Sequence, residues 1–155
     1  MVNGYGSYGW IIANEDEITK GRGEAEGARD LMQSFRAEGY SMLAALKYIL
    51  HAFKYTKNWP EQAKTIHMYC DDLPLIQRIG WHEKQIVTTP KDVFRSDYDL
   101  EVAIQETINS LRDKKIHIKE KYVRGHQDDH AEYNNLRHEE QLNVKADKEA
   151  TTALQ

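Results

Sequence analysis

A single cysteine, Cys70, is all the chain has among its 155 residues, so no disulfide forms within it and no cysteine-based zinc site can be built. Long apolar runs are also lacking, and no stretch approaches the roughly 20 residues that a membrane-spanning helix needs. The opening Met1-Val2-Asn3-Gly4-Tyr5-Gly6 has neither the basic start nor the apolar core of a secretory signal, which predicts an intracellular protein that is not secreted and has no membrane partner. An excess of positive charge is absent too. The formal net charge of -4 argues against a protein that coats nucleic acid by bulk electrostatics, but not against an enzyme whose acids are neutralised locally by metal.

What is present fits one globular domain, 1–155. The hydrophobic share of 40% is enough for a core, and 155 residues need no staples to bury it. Trp10-Ile11-Ile12-Ala13 reads as a buried strand, and Lys20 to Glu26 as an antiparallel return weakened by Gly21 and Gly23. From Ser34 to about Tyr55 the residues Glu38, Met42, Leu46, Ile49 and Phe53 recur at helical spacing, with Ser34 suited to the N-cap. Thr65 to Cys70 reads as a strand, and Asp72 as the cap of a short helix opening on Leu73-Pro74. Gly80 to Lys91 lacks a period and reads as a loop. Leu100, Ile104, Ile108 and Leu111 mark another helix, and Ile116, Ile118 and Tyr122 a strand with one wet side. Gly125 to Glu140 reads as a polar loop before a last helix from about Leu142 to Leu154. Strands alternating with helices predict an α/β domain with a mixed sheet.

Three acids stand where structure alone does not want them. Glu38 falls on the apolar stripe of its helix, Asp71 at the carboxyl end of a strand, and Asp147 on the less polar side of the last helix. Inward acids from three elements repel one another unless a cation holds them. Hard divalent ions such as Mg²⁺ take oxygen donors plus water and substrate phosphate, which points to phosphoryl chemistry. His126, after the strand ending at Val123, is a candidate proton shuttle, although a solvated loop histidine has the same sequence signature. A second arrangement, His126, His130 and His138 with Asp128 and Asp129 around a transition metal, matches no familiar zinc spacing.

Ser34-Phe35-Arg36-Ala37-Glu38, Tyr69-Cys70-Asp71-Asp72, Val123-Arg124-Gly125-His126 and Asn143-Val144-Lys145-Ala146-Asp147 stand in the order, and on the elements, of the ribonuclease H family. The chain resembles in particular the ribonuclease H-like domains of retrotransposon reverse transcriptases. The resemblance implies a mixed sheet flanked by helices and cleavage of the RNA strand of RNA–DNA hybrids with two Mg²⁺ ions, Mn²⁺ being an alternative. It implies that Glu38 and Asp71 bind one metal, that Asp147 binds the other, and that His126 assists proton transfer or product release. Ser34, Arg36 and Arg124 become candidate contacts to the nucleic-acid backbone, and a reverse transcriptase or larger polyprotein the expected upstream partner.

Two departures qualify the likeness. Leu73 stands where the family often has a polar residue that senses 2′-hydroxyls in the minor groove. The family's first strand, central in its sheet and carrying an Asp-Gly-Ser motif whose acid bridges both metals, has no counterpart before Gly4. The expectation is an N-terminally truncated domain, inactive or weakly active as it stands. The alternatives are a non-catalytic ribonuclease H-like module that binds nucleic acid or a partner, and a transposase or junction resolvase on a related sheet.

Overall fold

The computed structural model describes residues 5–13, 17–26, 34–56, 64–83 and 98–153. The chain is mixed α/β. Strands β1 (Tyr5–Ala13) and β2 (Glu17–Glu26) form an antiparallel pair. Helix α1 (Ser34–Thr56) leads to β3 (Lys64–Cys70), helices α2 (Leu73–Glu83) and α3 (Tyr98–Asp113), β4 (Ile116–Tyr122) and helix α4 (His138–Ala153). No described helix is long and apolar enough to cross a membrane.

Sheet pairing divides what the sequence suggested as one sheet. β1 pairs with β2, β3 pairs in parallel with β4, and the two pairs share no strand-to-strand ladder. A parallel pair needs a long crossover, and α2 with α3 supplies it between β3 and β4. The register sets Cys70 opposite Tyr122, and the Val123 amide donates to the Cys70 carbonyl at 3.0 Å, so both strands end together.

The core lies among α1, α2, α3 and the β3–β4 pair. Leu46, Leu75, Ile104, Ile108, Leu111 and Ile116 are almost wholly enclosed. The stripes read from the sequence for α1 and α3 are the faces that pack, with Met42, Leu46 and Ile49 of the first and Leu100, Ile104, Ile108 and Leu111 of the second all buried. Tyr122, expected inward, is 47% exposed, and Val123 takes the buried place beyond the strand end. Glu101 is buried within α3 and meets Arg78 of α2 at 3.8 Å, tying the two helices.

Alternate residues of β1 face opposite ways. A side chain added at Gly9 would strike Ala146 and Ala150 of α4, while the neighbouring Trp10 ring lies 5.3 Å from that of Tyr48 in α1. Helices α1 and α4 therefore cover the two sides of β1. Gly21, opposite Trp10, leaves room for the indole, so a residue that weakens β2 by propensity is required by packing.

Two boundaries differ from the sequence expectation. Helix α2 runs through Gly80 to Glu83, because Leu75 and Ile79 hold its buried stripe and one glycine costs only about 1 kcal/mol. Residues 84–91 of the expected loop lie outside the described residues. Helix α4 begins at His138, before the expected Leu142. The Glu140 carboxylate accepts from the Arg137 amide at 3.1 Å, an N-terminal box that starts the helix early. The preceding polar segment holds two short 3-10 turns, Gln127–Asp129 and Tyr133–Asn135.

Candidate metal centre

Where β3 ends, three ligand atoms come together: one each from Glu38, Cys70 and Asp71, all within 4.8 Å of one another. Among the described residues this is the grouping of three or more such donors close enough to share an ion. Glu38 reaches it from the first part of α1. The Cys70 thiol donates to Glu38 Oε2 at 3.9 Å and accepts from the Asp72 amide at 3.4 Å. Asp72 turns the other way and caps α2, its Oδ1 accepting from the Leu75 amide at 3.2 Å, as the sequence predicted.

Asp71 is held by two further elements. Asn143 of α4 donates to Asp71 Oδ2 at 3.3 Å. Gly125, brought alongside by the in-register end of β4, leaves no room for a side chain, since a Cβ there would sit 2.6 Å from the same oxygen. Asp147 lies one helical turn beyond Asn143 and shares its face of α4. It stands outside the 4.8 Å grouping, yet its charge is felt by Glu38 and it feels that of Asp71.

Electrostatics at this centre run against ionisation. Burial, then the charges of Asp71, Asp147 and Asp72, push the Glu38 carboxyl up to about 8. Burial and the charge of Asp71 raise Asp147 to about 6, opposed by His126. Burial and the Glu38 charge push the Cys70 thiol up as well, so it is a neutral thiol at ordinary pH. Such a set can relieve its repulsion in two ways, by taking up protons or by taking up a cation. The oxygen donors fit a hard divalent ion: Glu38 and Asp71 are in the grouping, and Asp147 is a further carboxylate nearby.

The remaining candidates are distributed around this centre. His126 is exposed, and its backbone is held in the left-handed region at φ 55, an uncommon conformation for a residue with a side chain. Its charge acts on Asp147, which couples the loop histidine to the acids. Arg124 is exposed. Arg36 contacts α3: its guanidinium donates to both Asp99 oxygens at 3.4 Å and to the Tyr40 hydroxyl at 3.1 Å. Burial acts to raise the Asp99 carboxyl, but the hydrogen bond and charge of Arg36 outweigh it and hold it below its usual range. Ser34 opens α1, and its side chain lies outside the described residues. Leu73 is 43% exposed at the start of α2. His130, Asp128 and Asp129 are exposed and form no ligand grouping with His126 and His138 among the described residues.

Cys70, Asn143 and Gly125 belong to the centre although none was singled out for a role from sequence. Asn143 could have been found by its spacing of four from Asp147. Cys70 and Gly125 gave no such signal, because a lone thiol and a loop glycine are ordinary features.

Beside the acids, a cavity of about 420 Å³ separates the two strand pairs. Glu38 and Asp147 line it, with Met42 and Leu46 of α1 and Leu142 of α4. Consecutive residues of both strands contribute, 9–13 of β1 and 65–70 of β3. Strand faces contribute every second residue, so these strands present their edges to the cavity.

No protein-family model and no curated relative matches the chain. A solved structure does match, that of Prototype Foamy Virus protease-reverse transcriptase in its native form, with a TM-score of 0.55 and 15% identity. The match covers 96% of this chain and 20% of that one, so the chain spans about a fifth of that protein's length. At this identity the likeness is one of fold.

Proposed function

We propose that the chain is a ribonuclease H-type domain of a reverse transcriptase or related retroelement protein, which hydrolyses the RNA strand of RNA–DNA hybrids using Mg²⁺. The observation that carries this reading is the convergence of Glu38 and Asp71, with Asp147 in electrostatic contact, on one half-buried centre at the end of a parallel strand. Open α/β sheets place ligand sites at that end. The shared fold with part of a protease-reverse transcriptase supports the same context.

In this reading Glu38 and Asp71 hold one ion and Asp147 the other. A divalent metal held by these carboxylates would supply activation of a water and stabilisation of the leaving oxygen of the phosphodiester. Asn143 and Gly125 fix the Asp71 carboxylate, one by a hydrogen bond and the other by leaving it space. His126, on its exposed loop, moves a proton at the leaving oxygen or helps product depart. Arg124 meets the nucleic-acid backbone, while Arg36 does so only by giving up Asp99.

The cavity between β1 and β3 is where the reading puts a further strand. Two strand edges with no ladder partner among the described residues, lined by α1 and α4, suit an extended segment that pairs with both. An acid at the end of that segment would join Glu38, Asp71 and Asp147.

A labelled RNA–DNA hybrid assayed with Mg²⁺ tests this. The chain joined to a strand ending in Asp-Gly-Ser should cleave the RNA strand, and Glu38→Gln or Asp71→Asn should abolish cleavage. The chain without that strand should cleave weakly or not at all. A folded, extended chain that binds hybrid without cutting it would favour a non-catalytic module. Cutting of branched or duplex DNA instead would favour a resolvase or transposase. Equal cleavage with and without the added strand would remove the need for it.

A further inference from the structure

Helix α1 carries a second feature, on the side away from the core. Between Glu38 and Glu61 the sequence has no aspartate or glutamate, although the chain as a whole is net negative at -4. The same stretch contains Lys47, His51 and Lys54. In the structure these three are exposed, together with Tyr48 at 44% and Tyr55 at 78%. At 3.6 residues per turn the five positions fall within an arc of about 120°, opposite the buried Met42, Leu46 and Ile49.

The rings are ordered against one another and their supports. His51 and Tyr55 lie nearly parallel, with centroids 5.9 Å apart and planes at 15°. Tyr48 leans on Trp10 of β1 at 5.3 Å. Aromatic rings gathered on one exposed face mark an interaction surface, and the cations flanking them disfavour an apolar or basic partner. Flat rings set between positive charges fit a ligand with flat bases and a negative backbone. Duplexes hide their base faces, whereas single strands offer them.

We propose that the exposed face of α1 formed by Lys47, Tyr48, His51, Lys54 and Tyr55 binds single-stranded nucleic acid. Bases stack on Tyr55 and His51, and the two lysines meet phosphates. The face is separate from the acid centre, and binding there needs neither metal nor the cavity strand, so its test is independent of the hydrolytic reading.

Fluorescence anisotropy with labelled oligothymidylate and oligouridylate of about 20 nucleotides, longer than the site of one small domain, measures it in EDTA at low salt. Tyr55→Ala should weaken binding about five- to tenfold with the melting temperature unchanged, as expected from the loss of one stacking contact. The double variant Lys47→Gln, Lys54→Gln should reduce the slope of log K against log salt by about 1.4, the value for two phosphate contacts on a single strand. Wild-type affinity in both variants would overturn the proposal, as would a blunt duplex competing as well as the single strand. So would no binding up to about 100 μM protein, the weak limit of ordinary non-specific affinity. Self-association that Tyr55→Ala abolishes, without nucleic-acid binding, would assign the face to a second copy of the chain instead.

Discussion

Asn143 of α4 donates a hydrogen bond to the Asp71 carboxylate at the end of β3, at 3.3 Å and across 72 residues of sequence. The contact joins the last helix to the strand that carries the acid, and it fixes which oxygen of Asp71 remains for another ligand. Asn143→Ala should therefore weaken Mg²⁺ binding about 10- to 100-fold, as loss of an outer partner of a metal ligand does, while leaving helix content unchanged. Titration calorimetry with Mg²⁺ reads the affinity. An unchanged affinity would mean that Asp71 is held by Gly125 and its own strand alone.

Metal-free stability should fall as pH rises. Glu38, raised to about 8 from 4.5, and Asp147, raised to about 6 from 3.8, bind more protons folded than unfolded. Their contribution is complete below the unfolded values near 4, and it is lost as pH passes through the folded ones, up to about 8. The melting temperature in EDTA should drop between pH 5 and pH 8 by an amount equivalent to about 1–3 kcal/mol, and Glu38→Gln should flatten the upper part of that curve. Thermal melts across that range check the sign. A curve that stays flat instead would place Glu38 in a solvated setting.

Gly125→Ala should cost about 1–3 kcal/mol, the usual range for overfilling a packed site, because a methyl group would press on Asp71 Oδ2 from 2.6 Å. Urea unfolding measures it. On the proposed hydrolytic function, activity should fall further than stability does, since the displaced atom belongs to the candidate metal centre. Gly80→Ala serves as the control: nothing lies within 4 Å of a Cβ there, and it should be neutral or stabilising.

Lys115, in the turn two residues beyond the end of α3, takes the left-handed conformation at φ 66. A residue with a side chain pays about 1–2 kcal/mol to sit there, and glycine does not. Lys115→Gly should therefore raise stability by about 1 kcal/mol, seen as a higher urea midpoint, with no change at the distant acids.

Much of the framework was legible in the residues. Apolar spacing in α1 and α3 marked the faces that pack, and Asp72 marked the start of α2, because these are local rules that neighbours in sequence obey on their own. Boundaries were misjudged where a tertiary contact overrode propensity, as at Gly80, or where a short capping contact from Glu140 started a helix early. Glu38 and Asp71 stood out by position, yet the thiol of Cys70 between them did not, because nothing in a strand sequence says which helix will lie over it. Arg36 looked available to a ligand until α3 brought Asp99 to it.

By itself the sequence determined the α/β alternation, the inward acids and the acid-free face of α1, since each depends on periodicity along one element. The tertiary structure alone decided that the strands form two pairs with a cavity between them, and that Asn143, Gly125 and Cys70 surround Asp71. Those relations join residues far apart in the chain. They depend on packing and register, which no single segment contains.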